Sequence, residues 1–198
     1  MPLRRSSRSS RPLNAPYTTW DASKQKGFET KIAKLTASAG LPLSWVDNPI
    51  WTAFLEEYVP LAQPFDRKAL TNRIIPKLAA ELREKAKSEA AGNFATVQAD
   101  GWTGLNHRHL VAFMITANKK VYTVRVYDTS VERKTAENFL RLLEEAVKEV
   151  EEKWKCKVIA VVTDASGECR KARQDFVKKY PWIVVLDCFA HQVWSILF

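Results

Sequence analysis

The apolar residues of this chain change their period at Gly92, and that change sharply limits the folds open to it. Upstream, Phe28, Ile32 and Leu35 recur at helical spacing until Gly40 and Pro42 end the run. Asp47 or Asn48 is placed to cap a second helix starting at Pro49, expected to bury Trp51, Phe54, Leu55 and Tyr58 before Pro60 and Pro64 close it. A third helix is expected over about residues 67–90, with Leu70, Ile74, Leu78 and Leu82 on one face and Pro76 weakening or kinking its middle.

Downstream of Gly92, Ala95, Val97 and Ala99 alternate with Thr96 and Gln98, which is strand periodicity. Residues 108–117 and 121–127 read as two more strands, joined by the short turn Asn118-Lys119-Lys120. A long amphipathic helix follows over 135–154, its stripe made by Ala136, Phe139, Leu140, Leu143, Val147 and Val150. Residues 158–162 form a β-branched run expected to be buried on both faces. A helix over 166–179, a buried-type strand over 182–186 and the start of a helix at 188–198 complete the order. A three-stranded antiparallel meander, then parallel β-α-β-α-β crossovers of right-handed sense, is the layout of a ribonuclease H-like mixed α/β sheet.

This order gives three segments: a tail over 1–24, a helical segment over 25–91 and a ribonuclease H-like domain over 92–198. The tail carries Arg4, Arg5, Arg8 and Arg11 among Ser and Pro, with no acid before Asp21. It reads as a disordered basic arm, suited to nucleic acid, to nuclear import or merely to solubility. The chain has 31 Lys and Arg against 22 Asp and Glu, a net +9, so the four tail arginines leave the rest at +5. At 46% hydrophobic, with seven Trp, the chain can bury an ordinary core. No apolar run approaches the roughly 18–20 residues of a membrane span, and the basic start lacks the apolar stretch of a secretory signal. Three widely spaced cysteines, Cys156, Cys169 and Cys188, suit a reduced intracellular chain and show no zinc-finger spacing.

The expected sheet makes a chemical prediction. Asp100 ends the first strand and Asp164 the fourth, and these strands should be parallel neighbours about 4.8 Å apart. Their carboxylates would then share the sheet edge where open α/β folds bind ligands. Two such acids repel unless a cation neutralises them, and Mg²⁺ or Mn²⁺ suits such a site together with phosphate oxygens. The alternative is that each Asp caps the turn that follows it. Cys188 and His191, three residues apart, would share a helix face near that edge, either contacting a metal or phosphate or simply buried and hydrogen-bonded. Two ligands fall short of the four of a structural zinc site. His107 and His109 share a strand face and read as structural or solvent-facing. Arg170, Lys171, Arg173, Lys178 and Lys179 make the helix after Asp164 basic, either to meet a phosphate backbone or as a solvated face. Trp102 either stacks on a base or joins the core.

Together, Asp100-Gly101-Trp102-Thr103, Val162-Thr163-Asp164-Ala165-Ser166 and Cys188-Phe189-Ala190-His191-Gln192 resemble motifs of the hAT transposase superfamily, in particular its fungal transposase-like members. Residues 38–49 resemble the helical segment that precedes the catalytic core, and the likeness covers roughly 30–198. The resemblance implies a nuclear, DNA-binding product of a transposable element, using an Asp-Asp-Glu triad and Mg²⁺ or Mn²⁺ for DNA strand cleavage and transfer. Asp100 would be its first acid, Asp164 its second, and Cys188 and His191 its C-x-x-H motif. The third acid is expected far downstream, on a helix after a large insertion. Residues 188–198 hold no Asp or Glu, and Asp187, at a strand end, is a poor stand-in. The family's zinc finger and dimerisation region are not seen. The chain thus resembles the front half of a transposase, a C-terminally truncated fragment expected to lack competent catalysis while keeping weak metal and DNA binding. Two other readings stay open. One is an active nuclease completed by Asp187 or another chain. The other is a domesticated interaction module that self-associates or binds a protein partner through the apolar end at Val193, Trp194, Ile196, Leu197 and Phe198.

Overall fold

The computed structural model describes residues 19–104 and 106–188. The basic tail through residue 18, His191 and the apolar segment 193–198 lie outside the described residues. Two compact units divide between Glu81 and Leu82.

In the first unit, α1 (Ala22–Ser38) is capped by Asp21, whose carboxylate accepts the Lys24 N–H. It ends where Gly40 takes φ 61°, a left-handed conformation that glycine adopts without a Cβ penalty. The N–H groups of Gly40 and Leu41 then return to the carbonyls of Ala37 and Thr36, satisfying the last helical acceptors. A 3₁₀ turn (Leu43–Asp47) leads to α2 (Pro49–Tyr58). Of the two expected caps Asn48 fills the role, its side chain accepting the Ile50 N–H, while the Asp47 carboxylate accepts the Arg67 N–H. Ile32, Ala33, Val46, Leu70 and Ile74 form this unit's core. The expected burial of α2 holds only in part. Leu55 is buried and Trp51 half-buried, whereas Phe54 and Tyr58 are exposed.

The third expected helix is three pieces: α3 (Arg67–Ala69), a π-helical turn (Leu70–Ile74) and α4 (Ile75–Ala90). The Ile75 N–H bonds the Leu70 carbonyl, five residues back. Pro76 has no N–H to give and its ring crowds the carbonyl four residues before it, so the widened turn accommodates it without breaking the run.

In the second unit, which takes α4 from Leu82 onward, the sheet order is β3-β2-β1-β4-β5. β1 (Phe94–Thr103), β2 (His109–Ala117) and β3 (Lys120–Asp128) are an antiparallel meander. Asn118 and Lys119, both at positive φ, make the tight turn whose twist suits a hairpin. β4 (Lys157–Thr163) and β5 (Val184–Asp187) continue the sheet in parallel with β1. This is the ribonuclease H-like mixed sheet expected from the order of elements. α5 (Ala136–Glu152) and α6 (Gly167–Lys179) cover one face. There Leu143, Val147, Val150 and Phe176 close on Val97, Phe113, Ile115, Val158 and Val161 in one core.

The expectation that residues 158–162 are buried on both faces is corrected. Val158 and Val161 are buried, but Ile159 is exposed at a register shift between β1 and β4. Residues 182–186 likewise form an edge: Trp182, Val184 and Leu186 are exposed, while Ile183 alone is buried. An edge strand covered by helices on one side keeps its other apolar side chains in contact with solvent.

Candidate functional site

The parallel pairing of β1 with β4 brings the two predicted acids to one edge. Their last paired residues are Ala99 and Thr163, so Asp100 and Asp164 stand one step beyond, at adjacent strand ends. Ala95, Val97 and Ala99 are buried toward the helices, and Asp100, next in alternation, belongs to the opposite, exposed side. Its carboxylate has no hydrogen bond or ion pair among the described residues.

Asp164 is half-buried, and its Oδ1 accepts the Ser166 N–H at 3.0 Å. Ser166 is the N-cap of α6, its Oγ accepting the Cys169 N–H. The turn role anticipated for Asp164 is therefore present, with the helix cap two residues further on. Burial pushes the Cys169 thiol up to about 12, so it stays protonated.

Arg173 belongs to the buried side of α6 rather than to its solvent face. Cys169, Ala172, Arg173 and Phe176, at i, i+3, i+4 and i+7, are all buried. Its guanidinium reaches the strand ends, donating to the Thr163 hydroxyl, to the Asp164 carbonyl at 2.6 Å and to the Asp187 carboxylate. Burial lowers the pKa of this guanidinium, yet an arginine surrounded by three acceptors remains charged. Asp187, named as a stand-in third acid, is thus held by Arg173 on the helix-covered face. Cys188 is half-buried and its N–H donates to the Thr163 carbonyl at 2.8 Å.

The rest of α6 is less cationic than its composition suggested. Lys171 and Lys178 both pair with Asp175, and Lys179 reaches Glu144 on α5. Of its five cations only Arg170, which is exposed, has no acid partner among the described residues.

Beside Asp164 lies a cleft of about 110 Å³, between the first turns of α5 and α6. Its lining includes the apolar Val111, Phe139 and Leu142 and also Trp102, which is 44% exposed. Arg133 and Lys134, just before the α5 N-cap Thr135, line it, as do Asp164 and Glu168. His109 also lines it, with Nδ1 2.8 Å from the Thr103 hydroxyl. The sequence signal for Arg133 and Lys134 was their position just ahead of a helix cap. Nothing in the sequence linked that loop to the ends of β1 and β4.

Asp100 and Asp164 supply two oxygen-donor side chains at one edge. This donor set suits a hard divalent cation that keeps water and takes phosphate oxygens, and it is too small for a closed protein cage. Among the described residues no group of three His, Cys, Asp or Glu side chains is arranged to hold a metal ion. No helix among them is long and apolar enough to cross a membrane.

Residues 66–197, more than half of the chain, match the family described as Domain of unknown function (DUF659). The chain belongs to the DUF659 family. That domain is found in hAT-type transposase-like proteins. The DUF659 match takes in the whole five-stranded sheet, both covering helices and the two strand-end acids. No curated protein matches the sequence.

Proposed function

We propose that this DUF659 chain is a transposon-derived, hAT-like module that binds DNA at the carboxyl edge of its sheet, with Asp100 and Asp164 as a two-acid site for Mg²⁺ or Mn²⁺, and that it does not cleave DNA by itself. The observation that carries the reading is the parallel pairing of β1 and β4, which sets two acids from distant parts of the sequence at neighbouring strand ends. The resemblance of three ordered motifs to hAT transposases and the DUF659 match support it.

A divalent cation bound there would neutralise phosphate charge and polarise phosphoryl oxygens. The chain's own residues do the rest. Asp100 offers a carboxylate that is unpaired among the described residues, and the Ser166 N–H holds Asp164 in place. Arg170 stands exposed on α6 to meet backbone phosphate. Catalysis of strand transfer relies on charge stabilisation that two acids supply only in part. Asp187 does not extend the set, because its carboxylate already neutralises Arg173. Nuclear location follows from the transposon-derived reading.

The test is incubation of supercoiled plasmid with the full chain and Mg²⁺ or Mn²⁺. Binding without nicking is expected. Nicking that Asp100→Ala abolishes would replace this reading with that of an active nuclease.

A further inference from the structure

The end of the sheet opposite the paired acids is cationic. There β1 and β4 begin side by side, Phe94 pairing with Lys157, and the β2–β3 turn lies next to them, since Ala95 pairs with Ala117. Lys153, Lys155 and Lys157 are exposed and alternate with Trp154, Cys156 and Val158, all buried. The buried side chains anchor the segment, and the three lysines stand out from it as a ridge. Its backbone is held to the start of β1: the Gly92 N–H donates to the Lys155 carbonyl at 2.8 Å, and the Lys157 N–H to the Asn93 carbonyl at 3.0 Å. Lys119 is exposed in the neighbouring turn. None of these four lysines has an acid partner among the described residues. Carboxylates are present here too. Glu89 takes Lys120 at 2.9 Å, Glu152 takes Lys148 at 3.9 Å, and Glu151 in the last turn of α5 offsets at most one of the four.

Two of these lysines occupy a backbone conformation that disfavours them. Lys119 takes φ 59° and Lys155 φ 54°, the left-handed region where a Cβ crowds the backbone and glycine is the low-cost residue. Glycine is also the preferred second residue of such a hairpin turn. The fold gains no contact from an unpaired ammonium group at either position, so what these positions supply is charge. Lys153, at the end of α5, also complements the helix dipole, but Lys119 and Lys157 belong to other elements. Lysine is a point charge on a flexible stem, without the planar fork that selects one acceptor geometry. Three neighbouring strands, each about 4.8 Å from the next, spread these charges over about 10 Å. Such a row suits a run of backbone phosphates, met without regard to base sequence.

We propose that this end of the sheet is a second DNA contact, in which Lys119, Lys153, Lys155 and Lys157 face the phosphate backbone. It goes beyond the reading of the carboxyl edge and uses none of that edge's residues.

The full chain is titrated, in EDTA, with a labelled duplex of mixed sequence over a range of salt. EDTA removes any contribution of metal at Asp100 and Asp164, so a failure of the metal reading leaves this result interpretable. The Lys119→Gly, Lys155→Gly double variant is expected to reduce the slope of log affinity against log salt by about 2 and to bind about tenfold more weakly at low salt. Its melting temperature should rise or stay within about 3 °C, because glycine relieves the left-handed backbone at both sites. Lys153→Gln, Lys157→Gln should weaken binding to the same degree. Lys26→Gln, Lys171→Gln removes as much charge from lysines already paired with Glu81 and Asp175, and should change the slope little. An unchanged slope in either of the first two variants, a lower melting temperature of the glycine variant, an equal loss in the paired-lysine variant, or no binding by the unaltered chain overturns the proposal. Acetylation of the unaltered protein by acetic anhydride gives a second readout free of folding effects. Shielding of the four lysines by DNA supports the contact, and equal reactivity with and without DNA overturns it. Displacement of the labelled duplex by polyglutamate as effectively as by unlabelled duplex would place an acidic protein partner there and overturn the DNA assignment.

Discussion

Arg173 on α6 donates to the Asp187 carboxylate at the end of β5, and the same guanidinium also ties Thr163 and the Asp164 carbonyl at the end of β4. One buried side chain therefore fixes the spacing of two strand ends at the edge that carries the candidate site. Arg173→Ala leaves these acceptors without a donor, at a cost of about 2–3 kcal/mol; the half-exposed Asp187 reduces the value below that of a fully buried pair. Asp187→Asn keeps a weaker acceptor and should cost about 1 kcal/mol. Urea denaturation of both variants checks the order.

The second unit's core rests on large side chains with almost no exposure, Phe113 and Trp154 among them. Phe113→Ala should cost about 3–5 kcal/mol, by lost transfer energy and by the cavity left behind. Phe54→Ser, on the exposed side of α2, should stay within about 0.5 kcal/mol. Thermal melts of the two variants separate these effects, and a large loss at Phe54 would mean that α2 is covered by something outside the described residues.

How much of this was readable in the sequence differs by element. Ala95, Val97 and Ala99 alternate in the sequence and are the buried side of β1, so the strands and their order followed from period alone. Phe54 and Tyr58 misled because helical spacing says which residues share a face, not whether a neighbour covers it. Either sequence reading of Arg173, on a phosphate-binding or a solvated face, leaves its charge exposed, because a charge is costly to bury. Yet it stood in the i, i+3, i+4, i+7 stripe of Cys169, Ala172 and Phe176, which was the available signal. The pairing of Lys171, Lys178 and Lys179 with acids was only partly visible, since Glu144 reaches α6 from another helix. The cleft was not visible at all, because its residues come from four separate stretches joined only by the fold.

Glu29 accepts both guanidinium nitrogens of Arg73, at 2.8 and 2.9 Å, and that hydrogen bonding lowers its pKa from 4.5. A carboxylate with a lowered folded pKa contributes stability above its unfolded value and loses it as the pH falls through the folded one. Glu29→Gln should therefore cost about 1 kcal/mol at pH 7, a modest value because Arg73 is half-exposed. The gap should close as the pH drops well below 4.5. Melting curves of both proteins from pH 7 to pH 3 give the comparison.

Arg170 and Lys178 differ in their partners rather than in their charge. Arg170 has no acid beside it among the described residues, whereas Lys178 pairs with Asp175 at 2.8 Å. If α6 meets phosphate, Arg170→Ala should reduce the slope of log affinity against log salt by about 1, and Lys178→Ala should change it little. Equal effects of the two would mean that α6 acts only through its summed charge.

The central claim is that Asp100 and Asp164 act together on a metal at a DNA-binding edge. The most direct measurement is the affinity of a fixed DNA fragment with and without Mn²⁺, for the unaltered chain and for Asp100→Asn and Asp164→Asn. The Asn side chain at 164 keeps an acceptor for the Ser166 N–H, so the turn is preserved. Mn²⁺ should tighten binding about tenfold in the unaltered chain. Each substitution should remove that gain, and metal-free affinity should not fall, because one negative charge leaves the DNA-facing edge. A Mn²⁺ effect that is absent, or that survives both substitutions, would contradict the account.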